Sequence, residues 1–364
     1  MKRSIILIVL ILLFSLNVSA EDVYSEQYEI SGAGELYNEL TDSAKDFFRD
    51  NDIDPSNPNW VNMITRENIL TKIWEFIKSG GKGPVRSGMQ MLSVIILFAA
   101  ANTFKSIKTY KSVMSYIFTL VLATLLLVPL FSLIDSLVGA IKGSSTFMFS
   151  FIPIYAGILT AGGQTATASG MSFLLLGAAN VVSSIASFVI MPLMSSYLAI
   201  SLVSGILPEN SGIVLGEGIK KVAMWVLSLS LTLFLGLLSI QTTVNASADG
   251  LGVKALKFML GSFVPVAGGA LSETLTTLTA SVKLLKSSVG IYGVVAVALI
   301  NLPVVLELII WRIVTFISLA VSELFGIKTG VPLLKAVDSV LAVLIGVVLF
   351  TAALFIISLS IVLK

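Results

Sequence analysis

Long apolar runs broken by short charged clusters set the pattern of this chain from residue 88 onward. Between Lys142 and Glu209 there are 66 residues without a single Asp, Glu, Lys or Arg. A helix crosses the hydrocarbon core of a bilayer in about 20 apolar residues, so that stretch alone holds three crossings. Continued along the chain, the pattern places spans near 89–104, 113–134, 145–163, 171–190, 192–208, 222–244, 257–272, 287–303, 304–322 and 338–363. It predicts an all-α polytopic membrane protein with about 8–10 transmembrane helices. Segment 257–272 is short for a span. It and 145–163 are candidates for re-entrant segments, which a membrane protein admits where protein or a cavity surrounds them.

The first residues, MKRSIILIVLILLFSLNVSA, run from Lys2 and Arg3 through an apolar stretch to Val18, Ser19 and Ala20. That order belongs to a secretory signal peptide, residues 1–20, cleaved after Ala20, with an uncleaved anchor helix as the competing reading. Residues 21–87 then lie outside the cytoplasm as a small helical segment. Leu36, Leu40, Phe47 and Phe48 recur near helical spacing, as do Ile69, Ile73, Trp74 and Ile77. The stretch DPSNPNW, Asp54 to Trp60, separates the two. Two readings stay open for this segment: it docks on a partner or on the membrane face, or it packs on the protein's own membrane domain, residues 88–364.

Positive loops near span ends stay cytoplasmic. With residues 21–87 outside, alternation puts basic loops bearing Lys105, Lys108, Lys111, Lys220, Lys221, Lys283 and Lys286 inside, with Lys328 and Lys335. Lys142, Lys254, Lys257 and Lys364 fall outside.

Composition narrows the chemistry. The chain is 56% hydrophobic and 12% charged, with no His and no Cys. Its net charge of +2 hides an asymmetry: residues 21–87 carry 13 acids against 7 bases, residues 88–364 carry 8 against 14. A Ser-His-Asp triad, a thiol nucleophile, an iron–sulfur cluster, a haem held by His or Cys and the usual zinc sites are excluded. No Gly-rich loop ends in Lys-Ser or Lys-Thr, so the chain carries no sign of hydrolysing ATP itself. The reading is a non-enzyme without catalytic residues, metal or cofactor, set in a lipid bilayer, with no nucleic-acid partner.

The chain also repeats itself. SFIPIYAG, Ser150 to Gly157, returns as SFVPVAGG, Ser262 to Gly269. Lys142 pairs with Lys254, Pro153 with Pro265 and Gly157 with Gly269, each at an offset of 112 residues; Pro192 meets Pro303 at 111. Repeat units of roughly 113–221 and 222–337, closed by a span at 338–364, fit a transport-type duplication in which an even number of spans leaves both copies in one orientation. Proline inside an apolar segment removes a backbone donor and can kink the helix. The prolines and glycines named are therefore candidates for helix breaks along a path, and equally for ordinary tight packing of small residues.

Ionisable residues inside a membrane are costly, and they are functional candidates. Glu307 and Arg312 lie in the apolar run 287–322, and Glu273 follows the second proline repeat. Arg312 either faces a polar interior or snorkels to an interface. Glu307 fits equally well a turn between spans after Pro303. Asp135, Lys142, Asp249 and Lys254 read as solvated loop positions.

SLTLFLGLLSIQ from Ser230, ADG at 248–250, KALKFMLGSFVPVAGGALSETL from Lys254 and LLKSSVGIYG from Leu284 resemble the stage III sporulation protein AE family, and the resemblance covers most of the chain. It implies a polytopic protein of the mother-cell membrane around the forespore of an endospore-forming bacterium. It implies as partners the other proteins of the stage III sporulation A operon, among them the AA-type ATPase and ring-forming components, together with the forespore Q-type protein. The implied function is a membrane component of a secretion-like channel complex linking the two cells, needed for forespore development after engulfment. The competing class is a stand-alone secondary transporter built from two parallel repeats.

Overall fold

The computed structural model describes the backbone of residues 20–103, 108–206, 211–263 and 268–363. Side chains are described for residues 23–101, 113–203, 215–241, 243–245, 249, 280–361 and 363. Within these the protein is helical and has no strand. Pro265 and Lys105 lie outside the described residues, as does 1–19 of the expected signal peptide. The side chains of Ala20, Lys108, Lys111, Gly269 and Glu273 do too.

The N-terminal segment is built from four helices and one 3-10 turn. Helix α1 spans Ala20–Ile30, followed by the turn Ala33–Tyr37. Helix α2, Asp42–Asp50, buries Ala44, Phe47 and Phe48 on one face; Asp42 in its first turn and Arg49 in its last complement the helix dipole. The chain then breaks where DPSNPNW requires it. Asp54 Oδ1 accepts the Ser56 N–H at 2.8 Å and Asn57 Oδ1 the Asn59 N–H at 2.9 Å, side-chain turns that compete with helix. Helix α3, Trp60–Met63, carries a buried Trp60. Helix α4, Arg66–Gly80, starts at Thr65, whose hydroxyl accepts the Asn68 N–H at 3.2 Å.

Six rods follow: α5 Lys82–Thr103, α6 Lys108–Ala161, α7 Thr165–Ile185 continuing through a π-helical turn Ala186–Ile190 into α8 Met191–Ile206, α9 Ser211–Phe263, α10 Gly268–Leu324 and α11 Val331–Leu363. Each holds a stretch long and apolar enough to cross a bilayer, six in all among the described residues. Where the sequence pattern places eight to ten separate spans, the described residues form six long apolar rods, several of them longer than one crossing. Loops expected between spans are helix: α6 runs through Asp135 and Lys142 to Ala161, so 145–163 is not a separate segment but the far part of α6 and its turn. α10 runs through Pro303, with no turn before Glu307. At Pro192 the missing N–H is absorbed by the π turn just before it, not by a loop. Isolated charges and prolines within an apolar helix do not force it to end while tertiary packing on both sides holds it.

The rods are far longer than one crossing. The 57 residues of α10 extend about 85 Å at 1.5 Å per residue, against roughly 30 Å of hydrocarbon.

They run antiparallel between two ends. The turns after α6 and α10 close in the same way. Gly163 and Gly326 adopt φ of 77° and 64°. Gln164 N–H reaches Leu159 O at 2.9 Å, and Ile327 N–H reaches Ser322 O at 2.8 Å. This i to i−5 bond past a left-handed glycine satisfies the last carbonyls of the rod. At the α10–α11 hairpin end, Thr329 Oγ1 donates to Ser115 Oγ at 3.4 Å and Phe98 of α5 stacks on Phe118 of α6 at 4.1 Å. At the opposite end, α11 closes on α10 so tightly that a Cβ on Gly290 would sit 2.2 Å from Leu363 Cδ2, and one on Gly293 would sit 2.7 Å from Phe151 Cε2 of α6. α11 is the most buried rod; Leu333, Val337, Leu341, Leu344 and Phe355 are fully enclosed.

Candidate functional site

The N-terminal segment docks on the end of α10 that carries Gly290. Trp60, wholly buried, donates its Nε1–H to Ser288 Oγ at 2.6 Å. The Tyr24 hydroxyl lies 2.7 Å from the same oxygen and donates to the Pro55 carbonyl at 2.9 Å. Since Tyr24 has one proton to give, Ser288 is the donor to Tyr24 and the acceptor from Trp60. About two turns back on α10, Ser281 Oγ donates to Gln27 Oε1 at 2.9 Å. One turn forward, Tyr292 packs its ring 5.2 Å from Phe48 and 6.1 Å from Trp60. Phe147 and Phe151 of α6, 5.7 Å apart, continue this aromatic layer into the membrane rods.

Burial raises the hydroxyl pKa of Tyr24 above its usual value; the Ser288 hydrogen bond opposes this and the charge of Asp54 adds to it. Burial likewise raises Tyr28, helped by Tyr24 and Asp54. Of the two readings left open for residues 21–87, packing on the protein's own membrane domain describes α1 to α3. Helix α4 also packs along α10, but leaves Ile69, Leu70 and Trp74 exposed, with Lys78 Nζ 5.3 Å over the Trp74 ring.

The same end holds a second polar contact. Helix α7 starts at Thr165 with Gln164 at its N-cap, and Gln164 makes no side-chain cap bond. Asp249 of α9 supplies it: Oδ1 accepts the Ala166 N–H at 2.8 Å and Oδ2 the Thr167 N–H at 3.0 Å. These are two of the donors a helix start leaves over, and the carboxylate also suits the positive end of the dipole. Asp249 is 8% exposed, so the expectation of a solvated loop residue is corrected. Asn245 and Gln241, about one and two turns below Asp249 on α9, lie against Gly170, whose absent Cβ would fall 2.3 Å from Gln241 Nε2.

Nearer the hairpin end, Lys220 Nζ donates to Ser339 Oγ at 3.4 Å and Tyr197 OH lies 2.9 Å from it. On the other side of α11, Arg312 Nε donates to Asp338 Oδ1 at 2.9 Å and Nη2 to Oδ2 at 3.4 Å. Inside the bundle, Asn301 Nδ2 donates to Ser144 Oγ at 2.8 Å, tying α10 to α6.

The expected site residues are scattered. Lys283 and Lys286 lie on α10 beside the docked segment, about 60 Å along the helix from the hairpin turn that carries Lys328. Lys220 and Lys221 lie near the hairpin end. All four sit in helices rather than loops, and the structure does not bring the basic residues together. Pro153 and Gly157 share one outward face of α6, and among the described residues a Cβ on Gly157 would meet nothing within 4 Å. Pro192 is exposed and Pro303 half-buried. Glu307 is half-buried on α10 and makes no ion pair among the described residues. Among the described residues no cluster of acidic side chains could hold a metal. Sequence reasoning missed Ser288, Trp60, Asp249 as a cap, and Asp338. Ser288 had a signal in LLKSSVGIYG and Asp249 one in ADG, while Asp338 had none.

A family model described as stage III sporulation protein AE matches residues 61–364. The chain is similar to stage III sporulation protein AE of Bacillus subtilis (strain 168), 28% identical over 200 residues. That match covers 55% of this chain and spans half the length of the relative. No solved structure matches.

Proposed function

The chain belongs to the stage III sporulation protein AE family, and from that premise we propose that it is a non-enzymatic membrane component of a secretion-like channel complex joining mother cell and forespore. A role in sporulation follows from the family, and a multi-pass membrane location from the six apolar rods. The finer reading places it in the mother-cell membrane around the forespore, with residues 21–87 on the extracytoplasmic side. There it meets the ring-forming components and the forespore Q-type protein, and the lysines of the hairpin end face the AA-type ATPase.

The observation that carries this reading is that the family match runs from residue 61 through all six rods, so the resemblance concerns the membrane domain itself and not an appended module. Its acidic residues are few, and of these Asp338 pairs with Arg312 and Asp249 caps a helix, which leaves little for proton-coupled transport. The element order supports the duplication: at the 112-residue offset, residues 165–206 fall within α10, and α6 and α9 both rise from the hairpin end to the docked end.

Deletion of the gene in its native host, scored for vegetative growth and spore development separately, tests the function. Normal growth with forespores arrested after engulfment is the expected result. A nutrient or growth defect with normal sporulation overturns the channel reading in favour of a stand-alone transporter.

A further inference from the structure

The Arg312–Asp338 pair is held in good geometry, yet it lies on the outside of the bundle. The two side chains are 44% and 36% exposed. Around them on α10 the exposed residues are apolar: Ile309, Ile313, Phe316 and Ile317, with Phe316 at 69%. Arg312 is 12 residues from the end of α10 at Leu324, about 18 Å along the helix. Leu324 is itself exposed and apolar. The pair therefore sits within an exposed apolar face of the rod, with exposed apolar side chains on either side of it along the helix. Charges presented to hydrocarbon are costly, and charged residues in spans face protein or water.

We propose that this face of α10 and α11 is where two copies of the chain meet. The pair is its own complement. A guanidinium has five N–H donors and a carboxylate about four acceptor positions; the internal pair uses two of each. Two copies inserted in the same orientation are related by an axis along the membrane normal, and such a two-fold contact brings identical patches together. The Arg312 and Asp338 of one copy are at one depth, because they are hydrogen-bonded to each other. A two-fold axis beside them sets each Arg312 opposite the partner's Asp338, closing a ring of four alternating charges. The isoleucines and Phe316 pack around it. One face satisfies both the spare donors and the spare acceptors, with no second kind of partner.

The absence of cysteine from the chain makes the test direct. Phe316→Cys leaves both charges in place and is assayed by disulfide formation in native membranes of cells carrying the full-length chain. Phe173→Cys, 80% exposed on α7, serves as the comparison. A cross-linked species of twice the monomer mass from Phe316→Cys and none from Phe173→Cys is the expected result. Absence of cross-linking at Phe316→Cys overturns the proposal, whether the thiol reacts with a water-soluble reagent, which means an aqueous path, or only with a lipid-soluble one, which means bare lipid contact. In a second arm on the Phe316→Cys background, Arg312→Glu is expected to lose the cross-link and Arg312→Asp with Asp338→Arg to regain it. Cross-linking that is indifferent to both changes overturns the role of the charges.

Discussion

Tyr24 and Ser288 are 264 residues apart in the sequence, and their hydroxyl oxygens are 2.7 Å apart in the structure. With Trp60 bound to the same serine, this contact fixes the N-terminal segment to the longest rod of the membrane domain.

Ser288→Ala is expected to loosen that contact. It strands the buried Trp60 N–H, a loss of about 1–3 kcal/mol. Hydrogen exchange of residues 24–60 in nanodiscs should quicken while exchange within α11 stays unchanged. Unchanged exchange at residues 24–60 would mean that the aromatic layer alone holds the segment.

Alkaline pH should release the same segment. Tyr24 and Tyr28 are raised above their ordinary 10.0 by burial, so the docked tyrosines stay neutral where free ones ionise. Docking is therefore at full strength below pH 10, and it weakens as pH climbs from there through the raised values. Tyrosinate absorbance should show late-titrating hydroxyls that ionise together with loss of protease protection at residues 21–80. Tyr24→Phe combined with Tyr28→Phe should remove that alkaline limb.

Asp249→Ala should free the start of α7. Losing an N-terminal cap costs about 1–2 kcal/mol, read as a lower Tm in detergent and faster exchange at Ala166 and Thr167. Asp249→Asn keeps one good acceptor and should fall between. Equal Tm for all three would show that the cap contributes nothing.

Gly88→Val should separate α5 from α10. A Cβ on Gly88 would lie 2.5 Å from Val314 Cγ1, 3.3 Å from its Cγ2 and 3.4 Å from its Cβ. Overpacking of this kind costs about 1–3 kcal/mol. The expected readout is reduced membrane-inserted protein, partly restored by Val314→Ala.

Much of this architecture was legible in the sequence. The helical class follows from uncharged runs such as 143–208, because a bilayer admits such a run only when every backbone group is bonded within its own helix. The break at DPSNPNW follows from Asp54 and Asn57, whose side chains bond their own backbone two residues on. The number of rods did not follow. Asp135, Lys142, Pro192 and Pro303 read locally as ends of helices, yet the helices pass through them, since buried side chains in the turns before and after each, such as Ile134 and Leu137 or Ile190 and Met194, pack into the core. The polar contacts were settled in three dimensions as well. Asp249 bonds residues 83 and 82 positions away, and Arg312 finds Asp338 only across the hairpin. Composition and periodicity act within a few turns of one helix, and so they determined that this chain forms apolar rods. Which rod lies beside which, and therefore which serine, carboxylate or glycine meets which partner, was decided by packing between segments tens to hundreds of residues apart.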